Sequence, residues 1–287
     1  MSYNRQYPFT EAKFERWIEE GRGTGIGAAY KPWLTEADLP AKRGHKDRSF
    51  SSLGNCRRIT FSLTETRMLR HYEYVPGVTD ARTQFPLDRE ATRRIARELG
   101  IEHPRCRESQ VDIVMTTDVV VDYQPAQGPA LVLPRSAKES TALDDFNQAE
   151  HGEIERRYWL EQGHVWKLVT NSERCMPAMM VKNLELIRRW RFPPDRQPFE
   201  GHFEILCERL ITAVVNYRGN QTLSEFGTQC QAEFGLSAGE AHGALLNLIF
   251  RHRLRGQIAS SPLMDQRVAT IAAETIERAA AFGRRSA

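Results

Sequence analysis

Apolar residues recur at helical spacing over residues 10–20, where Phe14, Trp17 and Ile18 sit among charged neighbours. Leu63, Met68, Leu69 and Tyr72 mark a second amphipathic helix over 62–75. A Pro-Gly pair at 76–77 then turns the chain into a strand over 78–87, and 88–99 is an arginine-rich helix closed by Gly100. Ile, Val and Thr dominate 111–123, the composition of a strand. A hairpin-like turn at 124–129 leads to a partner strand at 130–138. A long helix over 143–162 stops at Gly163, before a short strand at 165–170. This alternation predicts an α/β layered domain over residues 1–170.

Beyond it the pattern is helical, over 205–217, 223–234 and 241–250, with a linker or loop at Pro193-Pro194 and Pro198-Phe-Glu-Gly201. Ser237 and Glu240 fit a capping box in front of the third of these helices. Arg251, Arg253 and Arg255 with Gly256 then lead into an expected short strand at 257–259. The expected second domain, 171–287, is therefore all-α and winged-helix-like. Its basic corner either contacts DNA, docks a partner protein or is a plain exposed edge of a helical bundle.

In 287 residues, 40% hydrophobic and 27% charged, a sizeable core can form, which excludes a disordered tail. Forty basic against 37 acidic residues give +3, which excludes a polycation but not local basic patches. No run approaches 18 apolar residues and the first residues lack an apolar leader region, so neither a membrane partner nor secretion is expected. Five scattered cysteines without a C-x-x-C pair fit reduced thiols in a cytoplasmic bacterial protein. Histidine spacing offers no zinc motif.

Charge does concentrate locally. Lys42, Arg43, Lys46, Arg48, Arg57 and Arg58 face a single acid, Asp47, in a turn-rich stretch with Ser49, Ser51 and Ser52. Such a stretch suits DNA phosphate contacts, or is a solvated loop. Gly21-Arg-Gly-Thr-Gly-Ile-Gly27 invites a phosphate-loop reading. A dinucleotide fingerprint needs a buried strand before it and a helix after, whereas a polar helix precedes and Pro32 follows. A packed or DNA-facing loop is the better expectation.

The candidate chemistry lies in Glu65, Asp118 and Lys138. Asp118 interrupts an apolar strand in Met115-Thr-Thr-Asp-Val-Val-Val-Asp122, and Lys138 ends the partner strand. A strand Asp, a hairpin and a Lys on the adjacent strand is the layout of Mg²⁺-dependent nucleases with a restriction-endonuclease-like fold. A phosphodiester is anionic, so carboxylates hold hard Mg²⁺ ions that polarise the phosphate and activate water, with Mn²⁺ as a substitute. A neighbouring lysine orients that water or neutralises charge. Each residue also has a plain reading. Ser62-Leu-Thr-Glu65 is a capping box, and Lys138 is an ordinary strand-end lysine. Asp112 and Asp122 share Asp118's face in extended geometry, so the strand alone does not choose among them. The acid such nucleases carry two residues before the lysine is replaced by Ser136, a gap for which Glu65 is the candidate.

In combined order, the chain resembles the TnsA family, endonuclease subunits of heteromeric transposases. The resemblance runs through Glu20-Gly-Arg-Gly, Tyr30-Lys-Pro-Trp-Leu34, Ser62-Leu-Thr-Glu65, Gln84-Phe-Pro-Leu87, Gly100-Ile-Glu-His-Pro104, Met115-Thr-Thr-Asp118, Lys138 and Glu155-Arg-Arg-Tyr-Trp159 with Trp166. It implies that Glu65 and Asp118 are acidic metal ligands and Lys138 the active-site lysine. The family often has Gln where this chain has Ser136, whose hydroxyl or backbone carbonyl would then reach the metal. The resemblance further implies cleavage at the 5′ ends of a transposon, with TnsB and TnsC as partners and transposon-end DNA as substrate. The rival expectation is a noncatalytic DNA-binding or assembly subunit with a degenerate nuclease fold. A weaker third is a nuclease that works alone. Tyr158 and Trp159 are expected to pack on the sheet, and Asp144, Asp145, Glu150 and Glu153 to form a solvated face.

Overall fold

Thr10 accepts a hydrogen bond from the Lys13 backbone N–H and so starts α1 (Glu11–Glu19). This helix buries Trp17 edge-on against Trp33, with ring centroids 5.1 Å apart, in a cluster with Phe9, Leu34 and Val114. The structure is a computed structural model that describes residues 8–38, 46–142 and 145–283. The chain divides into two compact units, Met1–Cys175 and Met176–Ala287.

The glycine stretch after α1 is a packed loop. Gly25 has φ +90°, and a Cβ there would meet the Ala29 carbonyl oxygen at 2.4 Å, so only glycine fits. The Gly27 N–H donates to the Asp80 carboxylate at 2.7 Å, which means a protein anion already fills that cradle.

The basic stretch contains a hairpin that periodicity did not reveal: β1 (Asp47–Ser51) and β2 (Cys56–Thr60), antiparallel. Its inward positions are polar. Ser51, Arg58 and Thr60 are buried, while Phe50 is exposed, so the alternation of hydrophobic residues that marks a strand is inverted. Arg58 forms a buried ion pair with Asp80.

Ser62 caps α2 (Leu63–Tyr74) by accepting from the Glu65 N–H at 3.0 Å. After β3 (Val78–Pro86), Asp88 caps α3 (Arg89–Leu99), which Gly100 closes at φ +68°. β4 (Thr116–Tyr123) and β5 (Leu131–Lys138) form the expected hairpin. β4 starts later than composition suggested, because Val111 and Ile113 pair with Cys106 and Pro104 inside their own loop. α4 (Phe146–Glu161) and β6 (Lys167–Thr170) complete the unit. The sheet order is β3-β4-β5-β6, antiparallel except for the parallel β5–β6 pair. Leu87, Ile95, Ala96, Met115, Val120, Ile154 and Trp159 form its core against α3 and α4. The α/β layering expected of the first half therefore holds.

The second unit comprises α5 (Ala178–Arg188), α6 (His202–Asn216), α7 (Leu223–Phe234), α8 (Glu240–Phe250) and α9 (Val268–Gly283). Two expectations need correction. The full capping box is at Thr222–Glu225, whereas α8 is capped by Gly239 without a side-chain bond. Residues 257–259 form no strand. Asn183 donates to the Ile258 and Ser261 carbonyls, and Gln266 accepts from the Gln257 N–H and donates to its carbonyl. Buried amides thus take the backbone groups that a wing strand would have used. Among the described residues the second unit has helices and one isolated bridge, Thr222–Arg267, rather than a β-wing. No described helix is long and apolar enough to cross a membrane.

Candidate active site

The β4–β5 ladder runs from Tyr123–Leu131 to Val119–Arg135 and stops there. One step further Asp118 would face Ser136. Instead the Asp118 carboxylate takes the Ala137 N–H at 2.7 Å. A buried carboxylate therefore sits where two strands part, and Lys138 follows at the end of β5. The competing acids are committed elsewhere. Asp112 precedes β4 and is held by Arg93 and Arg105, and Asp122 pairs with Arg82 at 2.7 Å.

Glu65 forms only half of a capping box. Its N–H is capped by Ser62, but its buried carboxylate turns away to accept from the Phe61 N–H at 2.9 Å and Gln84 Nε2 at 3.2 Å. Burial, then the charge of Asp118, pushes the Glu65 carboxyl up to about 8. Gln84 is fully buried with φ +52°, a conformation a non-glycine residue holds only when its surroundings impose it. It is opposite Asp118 by register, between the Thr83–Val119 and Phe85–Thr117 pairs, and its Oε1 is buried without a partner among the described residues.

A third carboxylate was missed in the sequence. Glu155 on α4 accepts from Ser136 Oγ and Thr117 Oγ1, each at 2.6 Å. Trp159 Nε1 donates to Thr117 Oγ1 at 2.8 Å and Trp166 Nε1 to Ser136 Oγ at 3.2 Å, which fixes both hydroxyls. Burial, then Asp118, pushes Glu155 up to about 7. The available signal was positional: Glu155 follows buried Ile154 and precedes buried Trp159 by four residues, so it lies on the helix's inward side. Tyr158 and Trp159 pack as expected.

Burial opposes the charged form of Lys138, but Asp118, Glu155 and Glu65 outweigh it and raise its pKa. The lysine therefore stays protonated amid three carboxylates. Glu65, Asp118, Ser136 and Lys138 are thus gathered in one place, with Gln84 and Glu155 added. Asp118, Ser136, Lys138 and Glu155 share the floor of a cavity of about 380 Å³.

The excess of carboxylates over cations and the orphaned Gln84 Oε1 suit a hard divalent cation. Among the described residues no three His, Cys, Asp or Glu side chains close around one point as a full ligand set.

The predicted DNA contacts divide. Arg48 and Arg57 are exposed on the β1–β2 hairpin, flanking Phe50. Lys46 reaches the Glu36 carbonyl at 3.4 Å. Arg58 is inaccessible to a phosphate, because its guanidinium is buried against Asp80. Lys42 and Arg43 lie outside the described residues. Arg251 and Arg253 pair with Glu204 and Glu208 of α6 at 2.8 and 2.6 Å, so their charges are largely matched. The Arg255 N–H donates to Thr275.

Residues 76–171 match the family described as TnsA-like endonuclease N terminal. The chain is 38% identical over 233 residues to the transposon Tn7 transposition protein TnsA of Escherichia coli, which covers 81% of each protein.

Proposed function

The chain belongs to the TnsA family, and from that premise we propose that it is the endonuclease subunit of a transposase, hydrolysing one phosphodiester at the 5′ end of each transposon terminus. The observation that carries this reading is the set of three buried carboxylates around a protonated Lys138 where β4 and β5 separate. Structural acids on a sheet are normally paired one to one. Here three carboxylates crowd one lysine, and two of them are pushed to hold their protons to near-neutral pH, an arrangement typical of functional sites.

Glu65 and Asp118 would hold Mg²⁺, for which Mn²⁺ substitutes, with the Ser136 hydroxyl or carbonyl at the margin. The ion, when bound, supplies charge to polarise the phosphate and lowers the pKa of an attacking water. Lys138 presents a fixed positive charge and N–H donors, orienting that water and countering the charge that builds on the phosphate oxygens. Gln84 orients the Glu65 carboxylate through its amide N–H. Glu155, bridging Ser136 and Thr117, keeps β4, β5 and α4 in register around the site and adds its charge beside Lys138.

Exposed Arg48 and Arg57, with Lys46, Lys42 and Arg43, would contact the phosphates of transposon-end DNA. In the cut-and-paste reaction TnsB would process the 3′ ends and TnsC regulate assembly, the second unit serving as the docking or DNA-contacting module. The test is 5′-end cleavage of a transposon-end duplex, with and without the partner transposase, by wild type, Asp118→Ala and Lys138→Ala. Both variants should lose about 100-fold or more. Unchanged cleavage in Asp118→Ala would overturn the assignment and favour a noncatalytic assembly subunit.

A further inference from the structure

The cavity beside the carboxylates is larger and more apolar than a phosphate and its cation require. Its volume, about 380 Å³, falls at the small end of ligand pockets, which range over about 300–1,000 Å³. That admits a single nucleotide and not a duplex. Leu34, Ile113, Met115 and the half-buried ring of Trp166 supply apolar wall. The Trp166 ring is pinned by its N–H on Ser136, the same hydroxyl that Glu155 holds.

Gln148 and His151 of α4 supply the polar side of the wall, one turn apart. The Gln148 NH₂ is held by Asp145 Oδ2 at 3.2 Å, and because a carboxylate only accepts, the amide orientation is determined. Gln148 Oε1 is left buried and without a partner among the described residues. An unpaired buried acceptor is costly unless a ligand satisfies it. His151 likewise has no hydrogen-bond partner among the described residues. A flat apolar wall, an acceptor lacking a donor and a floor that binds a phosphodiester are the complement of a nucleobase. Base-stacking surfaces and edge-reading polar groups recur wherever a base is taken out of a duplex.

We infer that this cavity receives one unstacked base of the DNA strand, adjacent to the phosphate being cut, with the base's N–H donating to Gln148 Oε1. The inference rests on the nuclease reading above and adds a subsite to it. Extrusion makes the site selective for ends whose base next to the cut is weakly paired, and it explains why a duplex-cutting enzyme would keep a nucleotide-sized hollow beside its carboxylates.

The test uses the full chain and a transposon-end duplex carrying 2-aminopurine on one or the other side of the scissile phosphate. Ca²⁺ replaces Mg²⁺ and the protein saturates the duplex. Fluorescence should rise about threefold at one of the two positions as the base leaves the stack. Ala149→Phe, which fills the cavity from an exposed helix position, and Gln148→Leu should each remove more than half of that rise while anisotropy reports unchanged duplex binding. Absence of a rise in wild type, or a rise that both variants preserve, overturns the inference. Because the readout needs no cleavage, it separates from the nuclease reading: wild type that cuts without unstacking defeats the subsite alone, and unstacking without cutting defeats the nuclease alone.

Discussion

Glu155 on α4 and Ser136 on β5, 19 residues apart, are joined by a 2.6 Å hydrogen bond that the serine hydroxyl donates. A carboxylate is thus brought through space from a helix to the serine that stands where related nucleases carry an acid two residues before their lysine. Ser136 positions that carboxylate, and Trp166 fixes Ser136.

Replacing Glu155 by Gln retains an acceptor for Ser136 and Thr117 but removes the charge. Cleavage of transposon-end DNA should fall by about 100-fold, with the melting temperature close to that of wild type. A rate near that of wild type would show that the Glu155 charge has no part in the reaction.

The raised Glu65 and Glu155 groups set a pH dependence. The folded state holds their protons above the ordinary value of 4.5, to about 8 and about 7 respectively. The stability they contribute is complete below about 4.5 and is lost as pH rises through the folded values. In chelator, the melting temperature should therefore decline between pH 5 and 8, Glu65→Gln should flatten the decline, and added Mg²⁺ should stabilise more at pH 8 than at pH 5. Equal Mg²⁺ stabilisation at both values would contradict a cation held by these carboxylates.

Neighbouring arginines on one strand should behave oppositely. Arg58→Ala leaves buried Asp80 without its cation and should cost about 3–5 kcal/mol in a urea melt. Arg57→Ala, on the exposed side, should change stability by no more than about 0.5 kcal/mol. It should instead weaken DNA binding and reduce its salt dependence by about one phosphate contact. Unaltered binding would remove the hairpin from the DNA interface.

In the second unit, Asn183 serves the Ile258 and Ser261 carbonyls and the Leu263 N–H. Asn183→Ala orphans these groups, each unsatisfied one costing about 1–3 kcal/mol. Denaturant unfolding followed by hydrogen exchange should show the second unit opening first, with the first unit unaffected. Wild-type protection in residues 257–263 would refute the bracing role.

The sequence by itself determined what local rules can carry. Ser62, Asp88 and Gly100 mark helix ends through their own backbone chemistry, and runs of Val and Ile disclose β4 because apolar composition survives without context. Asp118 and Lys138 were legible as a pair because a hairpin links them, and the order of motifs carried the family. Only the tertiary structure decided the remainder. It paired Asp112 and Asp122 with arginines while leaving Asp118 beside Lys138, and it turned the Glu65 carboxylate away from the helix cap by offering it Phe61 and Gln84. It brought in Glu155 from another element, buried Arg58, and replaced the expected wing strand with a turn held by Asn183 and Gln266. The physical reason is common to these cases. A charged or amide side chain takes its role from the partner that compensates its burial, and that partner is fixed by how separate elements pack together.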